Sequence, residues 1–177
     1  MKRFFYAKIA LTNLKKNRQT CFPYLLTCIA TIMMFYIMSS LSTNSALNKM
    51  RGGATMGIVL MFGTVVVGIF AVLFLFYTNS FLVKRRKKEF GLYYILGMEK
   101  RHISRVMLWE TLYTAMLSLL LGIACGILFS KLMLLLLCNL VDFPLQFGFQ
   151  ISPAAFLSAC LLFGGIFLCI LLRNVRQ

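Results

Sequence analysis

Four long apolar runs, separated by short polar or basic intervals, set the pattern of this chain. The first covers residues 23–41 and opens on Pro23, which suits a first helical turn because proline lacks the N–H that would be unpaired there. About nineteen residues at 1.5 Å rise just cross a hydrocarbon core of about 30 Å. The second run begins near Gly57 and continues unbroken to Val83. At about 27 residues, roughly 40 Å, it outreaches that core and must tilt or project beyond it. Projection is expected, because helix formers continue through KRRKKEFGLYYIL and the first plausible stop is Gly97. Residues 99–105 are then predicted to form a brief helix across the membrane surface. The third run, from Val106 to about Cys138, is also over-long, with Lys131 expected to snorkel near its outer end. The fourth starts on Ser152-Pro153, a serine cap with proline in the first turn, and ends at Leu172.

Between and before these runs the chain is polar or amphipathic. In residues 1–22, Phe4, Ala7, Leu11 and Leu14 recur at helical spacing while Lys8, Thr12, Lys15 and Lys16 fall largely elsewhere on the wheel. This predicts an interfacial helix, followed by an uncleaved anchor, since the first apolar run carries no small-residue cleavage pattern. The connection over residues 42–56 carries only Lys49 and Arg51, and that over residues 139–151 carries Asp142 and no cation.

Composition then fixes the class. With 60% hydrophobic and 13% charged residues and a mean hydropathy of +0.86, too little polar surface exists to cover a soluble interior. The fold class is therefore an all-α membrane protein with four transmembrane helices. A formal charge of +15 suggests nucleic acid only when the cations form one face of a soluble fold. Here they sit in blocks beside apolar runs, the distribution expected from anionic lipid and the positive-inside rule. With both termini in the cytoplasm, sixteen of the nineteen Lys and Arg lie inside, Lys49 and Arg51 outside, and Lys131 within a span.

Candidate chemistry is sparse. There is no phosphate-cradling G-x-x-x-x-G-K-[ST], no H-E-x-x-H and no pair of carboxylates on one face, the only acids being Glu89, Glu99, Glu110 and Asp142. The six cysteines form no C-x-x-C and read as small core hydrophobes, and the single His102 has no second ligand type nearby. Neither a catalytic nor a metal site is expected. Gly122 and Gly126 form a G-x-x-x-G that permits close helix approach, a pattern that in membrane helices usually means packing only.

The stretch KRRKKEFGLYYILGMEKRHISRVMLWE, residues 84–110, is different in kind. It sets eight cations beside the apolar block of residues 90–98, and Phe90, Leu92, Tyr93, Ile95, Leu96 and Met98 need a surface to pack on. Its order of a basic run, Glu89-Phe90-Gly91-Leu92, Ile95-Leu96-Gly97-Met98, Arg101-His102-Ile103, and then Glu110 at the start of the next span resembles the FtsX-like permeases of mechanotransmitting ABC transporters, including the MacB and lipoprotein-release types. The N-terminal Asn13-Leu14-Lys15-Lys16-Asn17-Arg18, followed by Pro23-Tyr24, looks like the start of the bacitracin-resistance permeases of the BceB type. The resemblance implies an FtsX-like domain over residues 57–172, after a first span at 23–41 and before a tail at 173–177. Complete permeases of that type carry further spans, a large extracellular domain and a second FtsX-like domain. The expectation is thus an N-terminal portion, or a half-size subunit completed by another permease chain.

What the resemblance implies about function is mechanical. A cytoplasmic ABC ATPase dimer, using its own ATP and Mg, would drive the spans of a bacterial cell-membrane permease engaged in antimicrobial-peptide resistance or sensing, with a sensor histidine kinase as a further partner. This chain itself would bind no cofactor. Such transmission needs stiff helices and an apolar knob seated in the ATPase. Residues 84–96 and the turn at 97–105 supply them: Glu89, Gly91, Leu92, Leu96, Gly97, Met98 and Ile103, rimmed by Lys100 and Arg101, are the candidate coupling residues. Glu89 is equally well a solvated partner of Arg85 or Arg86, and the basic run Lys84 to Lys88 reads first as a topology and headgroup signal. Glu110 needs a polar or charged partner because it stands at the membrane boundary. A non-transporting FtsX-type scaffold or regulatory subunit in envelope or division processes is the alternative.

Overall fold

The computed structural model describes residues 18–44, 52–95, 100–140 and 152–176, with side chains described over 21–44, 52–85, 106–137 and 152–174 and at Asn139. Four helices account for nearly all of them: α1 (Arg18–Ser42), α2 (Gly53–Ile95), α3 (Lys100–Leu140) and α4 (Pro153–Arg176). Each contains a segment long and apolar enough to cross a membrane: Cys21–Ser42, Gly53–Arg85, Val106–Leu137 and Pro153–Asn174. The protein is a multi-pass membrane protein.

Several threonine hydroxyls inside these spans are satisfied locally, as a hydrocarbon surround favours. Thr27 donates to the carbonyl of Pro23 at 2.7 Å, Thr64 to that of Leu60 at 2.9 Å, and Thr78 to that of Phe74 at 2.6 Å. The start of α4 follows the sequence signal. Ser152 Oγ accepts the N–H of Ala155 at 3.3 Å, and Pro153 takes the first helical position, where its missing donor leaves nothing unpaired. Helix α2 begins a few residues before the expected Gly57. Gly52 adopts a φ of 84°, open to glycine without strain, and its carbonyl accepts the N–H of Met56 at 3.1 Å.

Two expectations are corrected. Pro23 does not open the first helix: α1 starts at Arg18, so Pro23 lies inside it, and the carbonyl of Gln19 lacks its usual i+4 donor. Residues 18–22, expected in the interfacial segment, therefore belong to α1; the rest of that expected helix lies outside the described residues. Nor is there a separate surface helix at 99–105, because from Lys100 onward the chain is α3. Nothing between Arg101 and Glu110 stops a helix, since the segment holds neither glycine nor proline. The expected stop at Gly97 lies outside the described residues.

Helix α1 is the hub. It packs most extensively on α3 and α2, and α4 closes the bundle with smaller contacts to α1, α3 and α2. Tyr24, Cys28, Ile32, Phe35 and Tyr36 of α1, spaced at three, four and one residues, form one wall of the core. Ala155, Ala159, Phe163, Ile166, Phe167 and Ile170 of α4 form the other, with Ala71 and Leu75 from α2 and Ile123 from α3. Phe35 and Phe163 meet edge to face at 5.6 Å between centroids. The Gly122 and Gly126 pair lies against α1: a Cβ built on Gly122 would stand 2.7 Å from Ile32 Cβ, and one on Gly126 3.0 Å from Tyr36 Cβ. Backbone approaches side chain here with no room for a methyl group.

Candidate functional site

At the end of the bundle that carries Arg18, Lys84, Arg85 and Arg173, every helix contributes a polar side chain to one buried layer. Asn79 of α2 and Asn174 of α4 face each other as a reciprocal amide pair. Asn79 Nδ2 donates to Asn174 Oδ1 at 3.0 Å, and Asn174 Nδ2 donates to Asn79 Oδ1 at 3.4 Å. Asn174 Nδ2 also reaches Thr111 Oγ1 of α3 at 3.4 Å. From α1, Cys21 Sγ donates toward Glu110 Oε1 at 4.0 Å. Thr114 Oγ1 is shared between the carbonyls of Glu110 at 2.9 Å and Thr111 at 3.0 Å. Asn79, Glu110, Thr111, Thr114 and Asn174 are all buried, so the layer sits in a low-dielectric surround where each bond is strong and each unmade one costly.

Its depth is marked by aromatic residues. Trp109 and Tyr113 lean together at 5.9 Å between centroids, Tyr77 is exposed, and the Arg85 guanidinium lies 5.1 Å over the Phe81 ring. Amphipathic rings and a cation in this band mark the membrane–water boundary. The polar layer lies just inside it, where α2 and α3 leave the bundle.

Beyond the layer the two helices continue. α2 runs on from Arg85 to Ile95, and α3 begins at Lys100, well ahead of its apolar segment at Val106. With 43 and 41 residues they measure roughly 65 and 62 Å, about twice the hydrocarbon thickness. Glu89, Gly91 and Leu92 lie in α2, and Lys100, Arg101 and Ile103 in α3. Their side chains, and Leu96, Gly97 and Met98 altogether, lie outside what is described. Gly122 and Gly126 lie in the bundle interior, away from this end. Among the described residues no group of His, Cys, Asp and Glu is arranged to hold a metal ion, and Cys21, Cys28, Cys125, Cys160 and Cys169 form no disulfide.

Of the layer's members, the sequence singled out Glu110 alone. Asn79 and Asn174 were overlooked, although an asparagine within or closing an apolar run is itself a signal: its amide has to find partners in the protein. Tyr24, Thr111 and Cys21 gave no such signal.

Comparison with known proteins bears on the chain as a whole. Residues 58–176 match the family described as FtsX-like permease C-terminal. The bacitracin export permease protein BceB of Bacillus subtilis is 28% identical over 167 residues, covering 94% of this chain and 26% of that protein. An ABC transporter permease of uncharacterised role from the same organism, YvcS, is 29% identical over 150 residues, covering 84% of this chain and 23% of its own length. BceB of Halalkalibacterium halodurans is 26% identical over 166 residues, covering 94% and 26%. The chain thus spans about a quarter of the length of these relatives. With the match extending over most of its length, from the second span through the last, the chain belongs to the FtsX-like permease family.

Proposed function

We propose that the chain is part of the membrane subunit of an FtsX-like ABC transporter, which passes the movement of a cytoplasmic ATPase dimer to the bilayer helices in antimicrobial-peptide resistance or sensing. One observation carries the reading: α2 and α3 run as unbroken rods from the packed bundle into the basic segment on both sides of residues 96–99. A rod anchored in a core moves as a unit, so displacement at the tip is delivered to Ala71 and Leu75 on α2 and to Gly122 on α3, against α1. The elbow between the rods faces the cytosol on this reading, with both termini on the same side, in keeping with the cation distribution. Leu92, Leu96, Met98 and Ile103 seat in the ATPase, Lys100 and Arg101 form the rim, and Glu89, Gly91 and Gly97 shape the elbow. ATP and Mg belong to the ATPase. The BceB relatives are named bacitracin export permeases, which supports the peptide-resistance branch, and a sensor histidine kinase is the further partner that a sensing role requires.

Co-purification in detergent with the ATPase tests the coupling. Leu96→Asp plus Met98→Asp is expected to abolish recovery of the ATPase while membrane insertion is retained, because an apolar knob cannot carry two carboxylates into its socket. Normal recovery of the ATPase with that double variant refutes the role of the elbow. Unchanged bacitracin and lantibiotic sensitivity in a deletion strain removes the resistance branch and favours the scaffold alternative.

A further inference from the structure

Beside the polar layer lies a small cavity of about 20 Å3, lined by side chains from all four helices, among them Tyr24, Asn79, Val83, Glu110, Thr114 and Asn174. Tyr24 is 3% exposed, and, a weak contact with the Cys28 thiol aside, its hydroxyl has no hydrogen-bond partner among the described residues. A hydroxyl left bare within the hydrocarbon zone loses the hydrogen bonds that water would supply, and native structures rarely tolerate that. One water needs about 10–15 Å3 of such space and two to four polar partners. The cavity has the room.

It also has the partners. The Tyr24 hydroxyl has a hydrogen to give. Thr114 Oγ1 spends its own hydrogen on backbone carbonyls, leaving lone pairs that can accept. Asn79 Nδ2 gives one hydrogen to Asn174 and keeps a second. Water, which both donates and accepts twice, matches this mixture of donors and acceptors, with the Glu110 carboxylate on the lining as a further acceptor.

We propose that this cavity is a hydration site, in which one buried water accepts from the Tyr24 hydroxyl and bridges α1 to the polar groups of α2 and α3. The Asn79–Asn174–Thr111 bonds join α2, α4 and α3 directly, and the water ties α1, the hub of the bundle, to them beside its Cys21–Glu110 contact. The inference concerns the bundle alone and stands whether or not the coupling role holds.

A double-mutant cycle on the detergent-purified protein, read as Tm, tests it. Tyr24→Phe removes the donor to the water and is expected to lower Tm. Val83→Ile adds one methyl group where the water sits and is also expected to lower Tm, by stranding the tyrosine hydroxyl. In the Tyr24→Phe background the same Val83→Ile change has no hydroxyl to strand, so its effect shrinks or reverses. A dry cavity gives the opposite pattern: Tyr24→Phe is neutral or stabilising, and Val83→Ile stabilises in both backgrounds by filling space. That result overturns the proposal, as does an equal loss from Val83→Ile in both backgrounds, which marks simple overpacking. A wild-type Tm that rises in sodium or potassium relative to choline at fixed ionic strength makes the occupant a cation and overturns it too. An experimental map fine enough to show ordered water is expected to place a peak within hydrogen-bond distance of Tyr24 Oη, and an empty cavity there counts against the site.

Discussion

Helix α1 is the least apolar of the four spans, with a mean hydropathy of 1.9, yet it is the most enclosed, with 39% of its most apolar window buried; α2 has a mean hydropathy of 2.9 and only 17% buried. In water the order would be reversed, since the most apolar helix would take the centre. Inside a bilayer, lipid tails are as apolar as leucine, so hydrophobicity does not decide which helix is surrounded by protein. What decides is close packing and the need of polar groups for partners. Helix α1 brings Tyr24, Cys21 and Ser39, whose hydroxyl pairs with that of Ser158 at 3.1 Å, and it offers Ile32 and Tyr36 to the glycines of α3. Helix α2 turns Ile58, Phe62, Ile69, Phe70, Leu73 and Phe74 outward, away from the other three helices.

The contrast breaks hardest at the glycine seam. Gly122→Leu puts a side chain where even a Cβ meets Ile32 at 2.7 Å. It is expected to destabilise the bundle by about 3 kcal/mol, read as loss of folded protein in a denaturing-detergent titration. Combination with Ile32→Ala is expected to recover part of that loss. Recovery from no variant of α1 denies α1 its place as the hub.

A smaller effect sharpens the two faces of α2. Leu75 is fully buried, whereas Leu73 is 61% exposed. Leu75→Ala is expected to cost about 2 kcal/mol through the cavity it leaves, and Leu73→Ala less than about 0.5 kcal/mol. The same titration checks both, and equal effects indicate that α2 is rotated from the orientation described. Smaller again is the polar tie. Asn174→Leu strands the Asn79 amide, at an expected cost of about 1 kcal/mol, a typical value for interhelical bonds in membranes. The double variant Asn79→Leu with Asn174→Leu is expected to recover most of it, because no polar group is then left bare. Additive losses in that pair show that the two amides do not face each other.

Much of the architecture was legible in the sequence, for identifiable reasons. The four spans were, because hydropathy accumulates over consecutive residues and needs no knowledge of neighbours. The Ser152-Pro153 start was, because capping is a contact between residues three apart. Continuation of α2 past Arg85 was, since helix formers and no breaker follow it as far as Gly91. The start of α1 was misread because proline was weighed as a boundary marker, whereas inside a lipid-embedded helix it is tolerated in the interior. The polar layer was legible only at Glu110, since the other members are singly unremarkable and become a site by meeting.

From the sequence alone come the number of spans, the over-length of the second and third, the basic segment between them and the membrane as solvent. Each is a sum over neighbouring residues, and local sums survive without a fold. The tertiary structure alone decides that α1 stands at the centre, that its Ile32 and Tyr36 occupy the Gly122–Gly126 seam, and that Asn79 meets Asn174. These depend on the rotation and tilt of each helix about its axis, and turning a helix by half a turn changes every partner while leaving its hydropathy unchanged.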